Sequence, residues 1–157
     1  MSRVEQMLIE GRTIIPVVDF TGKVCGALGR DINSSVVKNI ATAKGFIGNI
    51  RTRKKTIILT DDFISPLISQ KLDFDNVLAI THIFIPDEVI AFFKNKKKKV
   101  ILFFEQTDFG RKQVDKLAAR MNAAGINVYI FKTDNAKDMS QYLLQGNTIE
   151  SVLQIAK

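Results

Sequence analysis

Two apolar, β-prone runs in this sequence stop abruptly in oxygen-bearing side chains. "VILFF" (100–104) is followed by Glu105, Gln106, Thr107 and Asp108 before Gly110, and "TIILT" (56–60) by Asp61 and Asp62. Carboxylates and hydroxyls at the end of a strand offer hard oxygen ligands to a cation such as Mg²⁺, which binds through one or two carboxylates plus phosphate and water. The simpler role for Asp61 and Asp62 is to cap the next helix, because a side-chain oxygen there satisfies a free backbone N–H. The sequence favours the cap for both. His82, in "LAITHIFIP", has no histidine or cysteine partner nearby and reads as structural. Cys25, the single cysteine, excludes an intramolecular disulfide and reads as a packed core thiol.

These side chains meet only if the strands that carry them are neighbours. From Thr56 onward, strand-like runs alternate with helix-like ones: "TIILT", "DDFISPLISQKL", "NVLAI", "PDEVIAFFKNK", "KVILFF", then Gly110 to Ala124, "INVYIF" and "NTIESVLQIAK". That rhythm predicts a parallel sheet flanked by helices, with ligands in the crevice outside the carboxyl ends of the strands. Upstream, "RTIIPVVDFTGKVCGALGR" has two β-rich runs around Asp19 to Lys23, the composition of an antiparallel hairpin. The segment 31–55 is polar and basic and predicts a loop with little regular structure. The fold class is therefore α/β, a mainly parallel sheet flanked by helices, preceded by a small antiparallel hairpin and a basic loop. Its division is 1–55, a small N-terminal lobe, and 56–157, the α/β domain.

A hydrophobic content of 46% over 157 residues supports one real core and excludes a disordered tail. Lys and Arg number 23 against 16 Asp and Glu, a formal charge of +7 that favours a polyanionic partner. No apolar run reaches the roughly 20 residues needed to span a bilayer, and the N-terminus has acids where a secretory signal has none. The expected location is the cytosol, that of the host if the chain is phage-encoded, with no membrane partner. The Walker phosphate loop is absent.

The order of motifs resembles the catalytic core of bacterial and phage primases, most nearly those of T-even-type phages. "IIPVVDFTGKVCGALGR" is similar to the hairpin that opens the primase RNA-polymerase core, so that 1–55 corresponds to part of that core. "IILTDDFISPLI", "VILFFEQTDFGRKQ" and "KDMSQYLLQG" resemble the three motifs of the Toprim domain shared by primases and topoisomerases. The resemblance runs from about Arg12 to Lys157. It implies a Toprim-like fold for 56–157 and a magnesium site built by a glutamate after the first Toprim strand and two alternate aspartates after a later one. Thr60 stands in the place of that glutamate, Glu105 in that of the first aspartate and Thr107 in that of the second. Phe109 replaces an alanine before Gly110, and in the last motif Asp138 is in place while Gln141 replaces an acid. Glu105 and Asp138 are thus the metal-site candidates that survive. Asp61, Asp62 and Asp108 are displaced acids that rebuild the cluster only if the turns are remodelled.

The resemblance also implies a template-carrying basic surface. Arg30, ending the hairpin motif, and Lys38 correspond to its family residues, joined here by Lys44, Arg51 and Arg53. Cations release counterions from a phosphate backbone and so bind it without sequence preference. Phe46 in the basic segment either stacks on a base or pins the segment to the core, and "KNKKKK" (94–99) is either a solvated face or part of that surface. One cysteine and one histidine cannot build the zinc-binding domain of many primases. The expectation is a primase-like Toprim protein with degenerate metal motifs, acting in or on DNA replication by binding single-stranded DNA or RNA, or a replication protein. It favours a non-enzyme with no cofactor and at most weak Mg²⁺ binding. Two alternatives stand: an active magnesium-dependent primase or nucleotidyl transferase with shifted acids, and a protein-interaction or inhibitor module that binds no nucleic acid.

Overall fold

The computed structural model describes residues 12–31, 37–39, 44–82 and 85–157. Eight strands form one sheet: β1 (Arg12–Val18), β2 (Val24–Asp31), β3 (Val37–Asn39), β4 (Phe46–Ile47), β5 (Thr56–Thr60), β6 (Val77–Ile80), β7 (Lys99–Phe103) and β8 (Asn127–Ile130). Their order is β3-β2-β1-β4-β6-β5-β7-β8. The last four run parallel to one another and the first four pair antiparallel.

Alternation along the parallel strands fills both faces. Ile57, Leu59, Leu78, Ile80, Val100 and Leu102 point into one core. It is closed by Val89, Ile90 and Phe93 of α2 (Asp87–Asn95) and by Val114, Leu117 and Met121 of α3 (Asp108–Ala123). Ile58, Val77, Ile101 and Phe103 point the other way, under α4 (Met139–Leu144) and α5 (Ile149–Leu153). Leu67 of α1 (Ser65–Lys71) packs on that second face, over Val17, Ile47 and Ala79. A strand buried on both faces must be apolar throughout, which is why the predicted runs lacked a period of two.

The hairpin turn is built on Asp19, whose Oδ1 accepts from Thr21 N at 2.9 Å, Thr21 Oγ1 at 2.6 Å and Lys23 N at 3.0 Å. These donors hold the Asp19 carboxyl below its usual range, the Thr21 hydroxyl most of all.

One expectation is refined and one fails. The basic segment is not all loop, for it contains β3 and β4, and β4 joins the two halves of the sheet by pairing with both β1 and β6. A strand of two residues is too short to show periodicity, and Gly45 before it looks like a loop residue. Gly45 is needed because a side chain there would lie 2.3 Å from the Val18 carbonyl oxygen. Phe46 is 1% exposed and meets Phe93 edge-on at 6.2 Å, so it pins the segment and is withdrawn from any base. Cys25 is exposed rather than packed. It lies beside the irregular register between Val17 and Val18, where β2 leaves the core and Val24 is exposed too.

Candidate functional site

The carboxyl ends of β5 and β7 are adjacent, since Thr60 pairs with Phe103. The oxygen-bearing residues are therefore brought together as the sequence predicts. Each is already bonded to protein, except that Asp108 makes no side-chain bond among the described residues. Thr60 is fully buried and its Oγ1 accepts from Asp62 N at 3.1 Å. Asp61 does not cap α1. Its two oxygens accept from Glu105 N at 3.0 and 3.2 Å, linking the exits of the two strands. Burial pushes the Asp61 carboxyl up to about 6, against the opposing pull of that Glu105 N–H. Asp62 does serve at the entry to α1, accepting from Ile64 N at 2.9 Å and from the Ser65 hydroxyl. It also accepts from Ser140 N at 2.7 Å and so ties this loop to the first turn of α4.

Glu105 pairs with Lys137, Nζ to Oε1 at 3.1 Å, and this contact raises the Lys137 pKa. Gln106 N donates to Lys137 O at 2.7 Å, fixing the same two loops through the backbone. Thr107 caps α3, accepting from Gly110 N at 3.1 Å, and Asp108 is exposed in the first turn beside the helix's positive end. Gly110 admits no larger residue, because an added Cβ would sit 2.1 Å from the Glu105 carbonyl oxygen. Asp138 caps α4, accepting from Gln141 N and the Ser140 hydroxyl, both at 2.9 Å.

A magnesium centre needs carboxylates converging on one point. Here Glu105 faces Lys137, Asp61 faces a backbone N–H, and Asp62 and Asp138 face helix-entry donors. Among the described residues, no three His, Cys, Asp or Glu side chains gather as ligands. As they stand, these side chains do not fit a magnesium centre. Beside them, Asp61 and His82 open onto a largely apolar pocket of about 200 Å³ with Phe63, Phe104 and Phe109. Both ring nitrogens of His82 are buried without a hydrogen-bond partner among the described residues, and burial, followed by the charge of Lys44, lowers its pKa.

The five basic candidates separate into three places. Arg30 and Lys38 lie on neighbouring strands, where Gly29 pairs with Lys38 and Arg30 with Val37. Lys44 lies near His82. Arg51 and Arg53 line a cleft of about 590 Å³ at the other end of the parallel sheet, together with Lys55, Lys96 and Lys98. Sequence reasoning named Lys96 and Lys98 only within the run 94–99, left open between a solvated face and the basic surface, and did not place Lys55 beside them. The signal was present: Lys55 and Lys98 immediately precede β5 and β7, and residues that precede adjacent parallel strands in register are neighbours.

Comparison with solved structures places this architecture among primases. The Aquifex aeolicus primase, with its zinc-binding and RNA polymerase domains, superimposes with a TM-score of 0.75 at 21% identity over 95% of this chain and 40% of that one. The E. coli primase catalytic core gives a TM-score of 0.75 at 12% identity, over 92% of this chain and 52% of that one. A chain from the bacteriophage T7 lagging-strand DNA polymerase structure with two primase domains gives a TM-score of 0.68 at 20% identity, over 93% and 77%. This chain thus spans less than half of the Aquifex protein and about half of the E. coli core. No curated protein sequence matches it. The Toprim-like family model matches residues 60–143, from the end of β5 to α4, and so takes in every strand-end acid described above. With more than half of its length inside that model and a primase-like sheet around it, the chain belongs to the Toprim-like family.

Proposed function

We propose that this chain is a primase-like protein of DNA replication that binds nucleic acid, or a replication protein, and does not itself make primers. Its Toprim-like domain is 56–157, with 1–55 the lobe that accompanies it. The observation that carries this reading is the engagement of Glu105, Asp61, Asp62 and Asp138 by Lys137, Glu105 N and the entries of α1 and α4. Metal-assisted phosphoryl transfer needs charge that neutral hydroxyls at Thr60 and Thr107 do not supply. Support for the nucleic-acid partner comes from the net charge of +7 and from the fold, which a primase catalytic domain bound to single-stranded DNA shares at a TM-score of 0.71. Lys38 on the edge strand β3 and Arg30 on its neighbour β2 are the residues assigned to a single strand of DNA or RNA.

Calorimetric titration with Mg²⁺ and Mn²⁺, beside a primer-synthesis assay, tests the first half. Wild type should bind both ions weakly and make no primer. Tight binding that disappears in Asp61→Asn or Asp108→Asn establishes the active-enzyme alternative instead. For the second half, affinity for a single-stranded oligonucleotide should fall steeply with salt and drop in the Arg30→Ala, Lys38→Ala double variant. If no strand binds even at low salt, the nucleic-acid reading is lost and the protein-interaction module stands.

A further inference from the structure

The cleft at the amino ends of β5 and β7 lies outside the Toprim site, and three chain segments build it. The hairpin turn contributes Phe20 and Thr21, the connection from β4 to β5 contributes Arg51, Arg53 and Lys55, and the end of α2 contributes Phe92 and Lys96. Its floor is rigid. Lys98 is buried, and its ammonium donates to Thr52 O at 2.7 Å and Lys54 O at 2.5 Å, while Lys99 N donates to Lys55 O at 2.8 Å. Those bonds fix the backbone on either side of Arg53 and at Lys55. Arg51 is also held, its Nε donating to Thr21 O at 2.6 Å.

The remaining cations are not used by the fold. The side chains of Arg53, Lys55 and Lys96 are exposed and make no hydrogen bond or ion pair among the described residues. No acid lines the cleft. The Lys98 pKa is lowered first by burial and then by Lys55, with Asp75, which does not line the cleft, pulling it back up and Lys96 pushing it down again. Crowded like charges raise the energy of the folded chain, and a bound polyanion relieves that cost. One wall is aromatic: Phe20 is 39% exposed and its ring lies 6.3 Å from that of Phe92. A base can stack on such a wall while its phosphates face the cations.

We infer that this cleft binds a nucleoside polyphosphate, its phosphates among Arg53, Lys55 and Lys96 and its base against Phe20. A small ligand suits the geometry better than a passing strand. The cations converge from separate segments on a concavity of about 590 Å³, within the roughly 300–1,000 Å³ of small-molecule sites. Arg30 and Lys38, by contrast, lie along strands at the far edge of the sheet. The site is independent of the replication role proposed above.

The test is calorimetry on the full chain at low salt with ATP, ADP, AMP, adenosine and tripolyphosphate. Affinity should rise with the number of phosphates and be absent for adenosine. The Arg53→Glu, Lys55→Glu, Lys96→Glu triple variant should weaken ATP by at least about tenfold, equivalent to the loss of one or two charged contacts. The milder triple glutamine variant should also weaken it and guards against misfolding. Phe20→Ala should weaken ATP but leave tripolyphosphate unchanged, whereas an equal loss for both removes the base-stacking assignment. Arg30→Ala with Lys38→Ala should leave ATP binding intact. The inference is overturned if ATP does not bind, if both triple variants bind it as wild type does, or if they lose only a short oligothymidylate.

Discussion

The two ends of the parallel strands carry opposite charge and use it in opposite ways. At the carboxyl ends of β5 and β7, Asp61, Asp62, Glu105 and Asp138 each bond to a backbone N–H, a hydroxyl or Lys137. At the amino ends, Arg53, Lys55 and Lys96 bond to nothing among the described residues, and Lys55 and Lys96 crowd Lys98. Charge at the first end is engaged by the fold, and removing the Asp62 carboxylate in particular should cost stability. Charge at the second opposes folding, which is how a surface kept for a ligand differs from one kept for the fold.

The largest effect should come from Asp62→Ala. It leaves Ile64 N, the Ser65 hydroxyl and Ser140 N without their acceptor, and unsatisfied donors in a partly buried turn sum to a loss of roughly 3–4 kcal/mol. Urea unfolding measures it. A neutral result would mean that the carboxyl end is as dispensable to the fold as the amino end, and the contrast would be gone.

Asp61 should show the same end from the other side, because here burial penalises the charge. Its pKa rises from 3.8 in the unfolded chain to about 6 in the folded one. Below 3.8 both states hold the proton and there is no penalty. As pH rises from 3.8 to about 6 the unfolded chain releases the proton more readily, so this group's contribution to stability falls and then levels off. Asp61→Asn keeps an oxygen for Glu105 N and removes the penalty. The stability of the variant relative to wild type should increase between about pH 4 and 6, by up to about 3 kcal/mol. A flat difference across that range would show that Asp61 is not held in a desolvated place.

Much of this arrangement was legible in the sequence because local signals carried it. Apolar runs ending in acids located β5 and β7, and the hairpin followed from Asp19 to Lys23 between β-rich runs. What was not legible depends on pairs distant in sequence. β4 is defined by its pairing with β1 and β6 rather than by its own two residues. The partner of Glu105 is 32 residues away, and nothing near Glu105 names Lys137. Asp61 and Asp62 are consecutive acids with the same local prospects as caps, and only the position of Glu105 N sends them to different tasks. The basic residues read as one surface because they are close in sequence, yet β3 carries Lys38 to one edge of the sheet while Arg51 and Arg53 reach the cleft.

A smaller effect of opposite sign is expected at the amino end. Lys55→Gln combined with Lys96→Gln should raise the urea midpoint slightly at low salt, because it dilutes the repulsion on Lys98. Added salt should erase the gain, since exposed charges are screened within about 10 Å at 0.1 M. A fall in the midpoint would mean that these side chains support the fold and that both ends are structural.

The smallest change in stability, and the finest test of the contrast, is Lys137→Ala. Its pair with Glu105 is exposed, and exposed pairs contribute little. The backbone bonds of residue 137 to Gln106 N and from its own N–H to Gln141 Oε1 do not need the lysine side chain, so the thermal midpoint should stay within the scatter of the measurement. What changes is the charge at the carboxyl end, where Glu105 loses its neutralising partner. A single freed carboxylate beside the hydroxyls of Thr60 and Thr107 still cannot offset the reluctance of magnesium to shed water, so Lys137→Ala alone should bind Mg²⁺ little better than wild type. Adding Thr107→Asp keeps the cap of α3, since aspartate caps at least as well as threonine, and places a second carboxylate near Glu105. Calorimetry should therefore show Mg²⁺ affinity rising clearly only in the double variant. If Lys137→Ala alone binds tightly, the acids at this end form a metal site masked by one lysine, and the difference between the two ends reduces to that side chain.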